Sequence, residues 1–323
     1  MPVTRAALDA ASRAALRAVL SVRPDANAIS EPAFLTEHTL SAEPALLAAA
    51  ESLEPDVRAP IPVGPPEIGF DAFLDGTQRV RILAWLEGVP CIFGVTGAVI
   101  RERVERRLRT WKEPLLTRSR LYVPLAYLRE FPPPGNGFTI EDTTADRLGS
   151  KPSRHPAALT ERAILCVQRD REALEQRLAE AWVGDADGVL CVDGSLPPAG
   201  PARGSNRVVG VIKSHRTLYA EGTALDRVLS LKPGERSPAF RVATSGREPV
   251  ASWYLRLRDG TGRDALWAIV RLEIALGPDV SERADFASRW LLAENAPLAL
   301  PDSRWDKMTY GVRDCESFLR AVS

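Results

Sequence analysis

The chain has 323 residues, 42 Lys+Arg against 42 Asp+Glu and a formal net charge of zero, with 45% hydrophobic and 26% charged residues. That is the composition of an ordinary globular protein with room for one large domain or two modest ones. Neutrality excludes a globally basic nucleic-acid wrapper and a globally acidic tail protein, so a polyanion would have to be met by a local patch.

The N-terminal stretch, residues 4–21, is Ala- and Arg-rich with a helical apolar period and reads as an amphipathic helix. A second helix is predicted at about 43–53, followed by the Pro-rich connection APIPVGPPEIG at 59–69. Residues 70–86 and 89–100 are β-branched and apolar and are joined by Glu87-Gly88, the signature of consecutive antiparallel strands. The charged segment RERVERRLRTW (101–111) is predicted helical, and 131–156 reads as an irregular loop. A long helix is predicted over 158–183, a short apolar strand over 188–193 and another over 207–215. Further strands are expected between 240 and 274, the last two joined at Asp259-Gly260, and helices over 281–295 and 314–322. The order is a strand meander, a long helix, an apolar strand, more strands and closing helices. It predicts an α/β fold, an RNase H-like mixed sheet flanked by helices. An N-terminal helical extension (1–66) would precede a catalytic domain (67–323).

Cys91, Cys166, Cys191 and Cys315 are far apart and form no C-x-x-C, and the three His are scattered. Free buried thiols are expected, not a disulfide framework or a zinc site. No apolar run approaches the ~20 residues of a bilayer span, so no membrane association is expected and a reducing cytoplasm is the default location. The Walker, Rossmann and nucleophile-elbow motifs are absent.

Two segments carry candidate chemistry, AFLDGTQ with Asp75 and LCVDGSL with Asp193. Each places an Asp at or near the end of an apolar strand, followed by Gly, which lets a ligand or backbone approach closely. Asp-Gly is also a favoured hairpin dipeptide, and the chain contains four. Taken singly, each Asp is first a turn residue; their shared setting in the meander–helix–strand order argues for a site. Strand and helix rises put a helix partner about 20 residues before Asp193, where Glu172 and Glu175 share one face. Glu180 lies nearer the far end, and for each Glu a solvated helix face is the plain alternative.

From Ser195 to Ala220 there is no acidic residue, while Arg203, Arg207, Lys213 and Arg216 are basic. A phosphate-facing loop and a charged edge strand both account for this stretch. His215 is a candidate base or nucleic-acid contact, against the commoner structural role of a lone His. A carboxylate cluster without soft ligands suits Mn²⁺ or Mg²⁺, and two such ions ~3.5–4 Å apart serve phosphodiester hydrolysis.

In the order FLDGTQ, LCVDGSL, VVGVIKSHRTLY, WYLRL and WAIVRLEI, residues 68–323 resemble the NurA nuclease family. The resemblance implies an RNase H-like fold and Mn²⁺-dependent cleavage of DNA ends and single strands, the activity of a 5′–3′ exonuclease and single-strand endonuclease. It also implies a homodimer and a HerA-like hexameric ATPase partner, in DNA end processing or anti-phage defence. By the same resemblance Asp75 and Asp193 hold metal, a helix Glu accompanies them, and Lys213 lies near the scissile phosphate. The C-terminal segment MTYGVRDCESFLRAV departs from the family pattern, and Asp314 is taken as the fourth ligand. A non-catalytic RNase H-like adaptor that binds nucleic acid or an ATPase is the alternative that this departure favours, and an RNA-cleaving relative of the same fold is a third.

Overall fold

The computed structural model describes residues 5–24, 27–28, 45–55, 59–112, 115–131, 137–145, 152–244, 247–260, 265–295 and 307–322. The principal elements are α1 (Arg5–Val22), β1 (Ala72–Leu86), β2 (Val89–Val104), β3 (Leu116–Val123), α2 (Pro156–Asp185), β4 (Leu190–Asp193), β5 (Val208–Ile212), β6 (Val250–Arg256), β7 (Ile269–Ala275), α3 (Val280–Ala293) and α4 (Tyr310–Val322).

β1 and β2 form a long hairpin whose turn residues, Glu87 (φ 49°) and Gly88 (φ 81°), both adopt the left-handed conformation that matches strand twist. β2 continues antiparallel to β3. β4 then lies beside β1 and parallel to it, with Val192 opposite Leu74, and β5 is parallel to β4. The order β3-β2-β1-β4-β5, with α2 crossing between the third and fourth strands, is the RNase H-like plan. Antiparallel β7 and β6 extend the same sheet beyond β5.

Alternation along each strand sends successive side chains to opposite layers. On one face Leu74, Ala98, Ile100 and Val192 meet Leu174, Leu178 and Trp182 of α2. On the other, Phe73, Val99, Cys191 and Val211 meet Ala284, Ala287 and Leu291 of α3 and Val312, Cys315 and Leu319 of α4. The result is a three-layer α/β/α arrangement. Pro156 opens α2, where the fixed proline φ suits the first turn, and His155 Nδ1 accepts the Ala157 N–H at 3.2 Å as its cap. At the far end Trp182 Nε1 donates to Gly188 O at 2.9 Å, so Asp187-Gly188 is the helix-to-strand turn.

Two predicted helices are strands. Residues 101–111 complete β2 and return as the strand Arg107–Thr110 through Glu105 and Arg106. Their helix propensity is overridden by distant partners. Arg101 bonds Asp314, Thr110 and Leu108 O, while Arg103 bonds Glu294 and Phe70 O. In the segment expected as a helix at 43–53, Leu46–Leu47 pairs with Thr217–Leu218 and Glu51–Ser52 pairs with Phe240–Val242; residues 43 and 44 fall outside the described ones. Part of the expected loop at 131–156 forms the strand Ile140–Asp142, which adds to β3. No described helix is long and apolar enough to cross a membrane, and all four Cys are free thiols and buried.

Candidate metal centre

The parallel pairing of β4 with β1 sets Asp193 beside Asp75 at the same level of the sheet. Asp75 follows Phe73 by two residues and Asp193 follows Cys191 by two, so both carboxylates rise on the α4 side. Lys213, the residue after β5, follows Val211 by two and reaches Asp193 on that side. Asp75 is not a turn residue: it lies inside the 15-residue β1, opposite Val99. Asp193 ends its strand, and Gly194 follows at φ 117°, a conformation that favours glycine.

A third carboxylate comes from α4. One oxygen from each of Asp75, Asp193 and Glu316 lies within 4.8 Å of the others, a grouping able to hold a metal ion. Lys213 Nζ donates to Asp193 Oδ1 at 2.8 Å. Asp75 is 8% exposed, and its Oδ1 accepts the N–H of Gly76 at 2.8 Å. Burial first, then the neighbouring Asp193, pushes the Asp75 carboxyl well above the usual carboxylate range, with Lys213 opposing. For Lys213 burial disfavours the charged form, but Asp193, Asp75 and Glu316 outweigh it and the pKa of the ammonium stands above its ordinary value. The donor set is all hard oxygen, and three crowded carboxylates against one ammonium form an arrangement that a divalent cation relieves. The residues present therefore fit Mn²⁺ or Mg²⁺.

Of the two helix Glu candidates, Glu175 comes near. A methyl group at Gly76 would lie 2.0 Å from Glu175 Oε1, so this glycine is what lets the carboxylate reach β1. Glu175 approaches from the α2 face, with Arg171 Nε at 3.6 Å, and adds to the negative potential at Asp75 without joining the three-carboxylate group. Glu172 accepts from Gln168 Nε2 at 2.9 Å along its own helix and is not among the three. Glu180 likewise accepts from Gln176, also at 2.9 Å.

Asp314, expected as the C-terminal ligand, lies outside the three-carboxylate group. Its Oδ1 pairs with Arg101 Nε at 2.5 Å, and Glu316 holds the place beside the two Asp. The sequence did contain a signal for Glu316. Val312, Cys315 and Leu319 form the buried stripe of α4, and Glu316, four residues after Val312, falls on that stripe.

The basic stretch divides differently from a phosphate-facing loop. Arg203 is 4% exposed and donates to the carbonyls of Leu196, Pro197 and Glu248. Arg207 donates to the carbonyls of Ala186 and Val183, closing the C-terminal end of α2. Both are turned into the fold because loop and helix-end carbonyls need donors there. Arg216 is exposed. His215 Nε2 meets Ile269 O at 2.7 Å, and the ring packs edge-on against Tyr254. Burial, with smaller contributions from Lys307 and Arg271, lowers its pKa to about 4 although the Ile269 carbonyl opposes this. It is neutral near pH 7 and packs within the fold. Glu273 pairs with Arg271 at 2.7 Å and accepts from Leu196 N, which anchors the loop after Asp193.

No family model matches the sequence, and no curated protein does. Among solved structures the chain is similar to the crystal structure of the NurA nuclease from Sulfolobus solfataricus, with 10% identity, a TM-score of 0.47, and 80% of this chain and 81% of that chain covered.

Proposed function

We propose that this protein is a divalent-metal-dependent nuclease that hydrolyses DNA phosphodiester bonds. The observation that carries this reading is the convergence of Asp75, Asp193 and Glu316, with Lys213 on Asp193, beside the carboxyl end of β4 in an RNase H-like sheet. Ligands in open α/β sheets bind outside the carboxyl ends of the strands, where Asp193 stands. Asp75, Asp193 and Glu316 would hold Mn²⁺ or Mg²⁺, which when bound polarises a phosphoryl oxygen and lowers the pKa of water. Lys213 adds fixed positive charge beside the carboxylates, where a phosphate oxygen would be received. The loop that follows Asp193 is held by Glu273, which accepts from Leu196 N and so keeps Asp193 in place.

The motif resemblance of residues 68–323 extends the reading to DNA ends and single strands as substrate, a homodimer, a HerA-like hexameric ATPase partner and a role in end processing or defence. Neutral overall charge supports delivery of DNA by such a partner over tight passive coating of DNA. The test is incubation of the purified chain, alone and with a HerA-type ATPase, with labelled linear and single-stranded DNA and RNA in Mn²⁺, Mg²⁺ or EDTA. Metal-dependent cleavage of DNA that is lost in Asp193→Asn supports the reading. Absence of any cleavage with and without the partner leaves the adaptor role in its place, and preference for RNA replaces the substrate.

A further inference from the structure

Two-ion phosphodiesterases hold their metals ~3.5–4 Å apart, usually with a carboxylate that offers one oxygen to each ion. The two Asp of this site have each already committed one oxygen. Asp193 Oδ1 is 2.8 Å from Lys213 Nζ, and Asp75 Oδ1 accepts the Gly76 N–H at 2.8 Å. Of the two, only Asp193 has a charged donor on its oxygen, so the Lys213 ammonium already faces Oδ1 where a second ion would share it. Glu316 Oε2 has Arg320 at 3.4 Å, approached from solvent by a side chain 62% exposed. The three ligand oxygens lie within 4.8 Å of one another. A single Mg²⁺ spans about 4.2 Å between opposite ligands, so small side-chain adjustments close the group on one ion. Lys213 is itself turned inward, with its side chain 10% exposed, and is tied to the site on a second side by Met308 Sδ at 3.9 Å. Three carboxylates less one ammonium leave two negative charges, which one divalent ion neutralises.

We infer that Lys213 occupies the position of the second cation, so that the centre takes one divalent ion where two were expected. This deepens the nuclease reading and rests on it. One fixed ammonium then does the electrostatic work of the missing ion on the phosphate side of Asp193, and loading needs one binding event.

The test is an Mn²⁺ titration of the full chain followed by electron paramagnetic resonance and calorimetry. The wild type is expected to bind one equivalent with the spectrum of an isolated ion, and Asp193→Asn to lose it. Lys213→Met removes the charge at similar volume and releases Asp193 Oδ1. It is expected to take a second equivalent and to show the spin-coupled spectrum of a paired site. Lys213→Gln serves if the Met variant does not fold by circular dichroism, and the wild-type stoichiometry stands without either. Two coupled ions in the wild type overturn the inference, as does a folded Lys213 variant that still takes only one. A wild type that binds no Mn²⁺, or binds it equally in Asp193→Asn, overturns the metal reading as well.

Discussion

Arg101 Nε holds Asp314 Oδ1 at 2.5 Å, while Glu316, two residues on, is the acidic residue of the last helix that joins Asp75 and Asp193. Arg101 is fixed in turn by Thr110 Oγ1 and Leu108 O, so it is a rigid anchor on β2 and the neighbouring strand. With Asp314 directed to that anchor, Glu316 falls on the buried side of α4 beside Asp75 and Asp193. Glu316→Gln is expected to weaken Mn²⁺ binding and cleavage by more than the ~10–100-fold that a supporting residue costs. Asp314→Asn should leave metal binding within a few-fold of wild type and cost about 1 kcal/mol or less, since Asp314 is 33% exposed and the pair is partly screened. Parallel calorimetry and denaturation of the two variants check this; equal loss of metal in Asp314→Asn would return that residue to the ligand set.

Asp75 is buried among like charges, and a site built this way costs the empty protein stability. Asp75→Asn is expected to abolish metal-dependent cleavage and, in EDTA, to raise Tm, on the scale of ~2 °C per kcal/mol relieved. With saturating Mn²⁺ the order should invert, because only the wild type gains stability from the ion. Thermal denaturation with and without metal measures both; a lower Tm for Asp75→Asn in EDTA would contradict the strain.

Arg203 and Arg207 are expected to matter for folding and not for DNA contact. Each donates to two or more buried or half-buried carbonyls, and losing a charged donor of this kind costs roughly 1.5–3 kcal/mol. Arg203→Ala and Arg207→Ala should lower stability by about that much while single-stranded DNA affinity, measured by anisotropy on folded protein, stays unchanged. A reduced salt dependence of binding in either variant would place its guanidinium on a phosphate after all.

His215 supplies a pH signature. Its folded pKa is lowered to about 4 from 6.5, so between these values the unfolded chain takes up a proton that the folded chain refuses. Stability is therefore unaffected by this residue above pH ~6.5 and falls as pH drops toward 4, by on the order of 2–3 kcal/mol near pH 4.5. His215→Gln keeps an N–H for Ile269 O and removes the titration. Urea denaturation at pH 7.5 and pH 4.5 should show a smaller acid loss in this variant than in the wild type.

The alternation of apolar residues and the Asp-Gly placements determined the central sheet by themselves. The hairpin at Glu87-Gly88, the long helix after the meander, and Asp75 and Asp193 on strands are local features, and β period, turn chemistry and helix period report them directly. Tertiary structure decided what depends on distant partners. Residues 101–111 have helix-forming side chains, yet Arg101 and Arg103 find acids on α4 and at the end of α3, and those pairs hold them in strands. Leu46–Leu47 and Glu51–Ser52 become short strands because Thr217–Leu218 and Phe240–Val242 pair with them. The basic run after Asp193 gave no sign that Arg203 and Arg207 turn inward, because the carbonyls they satisfy belong to a loop and a helix end that meet only in the fold. The choice of Glu316 over Asp314 lay between the two: the apolar stripe of α4 marks Glu316 as inward-facing, but only the approach of Arg101 removes Asp314. Residue spacing sets which face a side chain takes. The Arg101–Asp314 pair joins segments 213 positions apart, which spacing alone does not bring together.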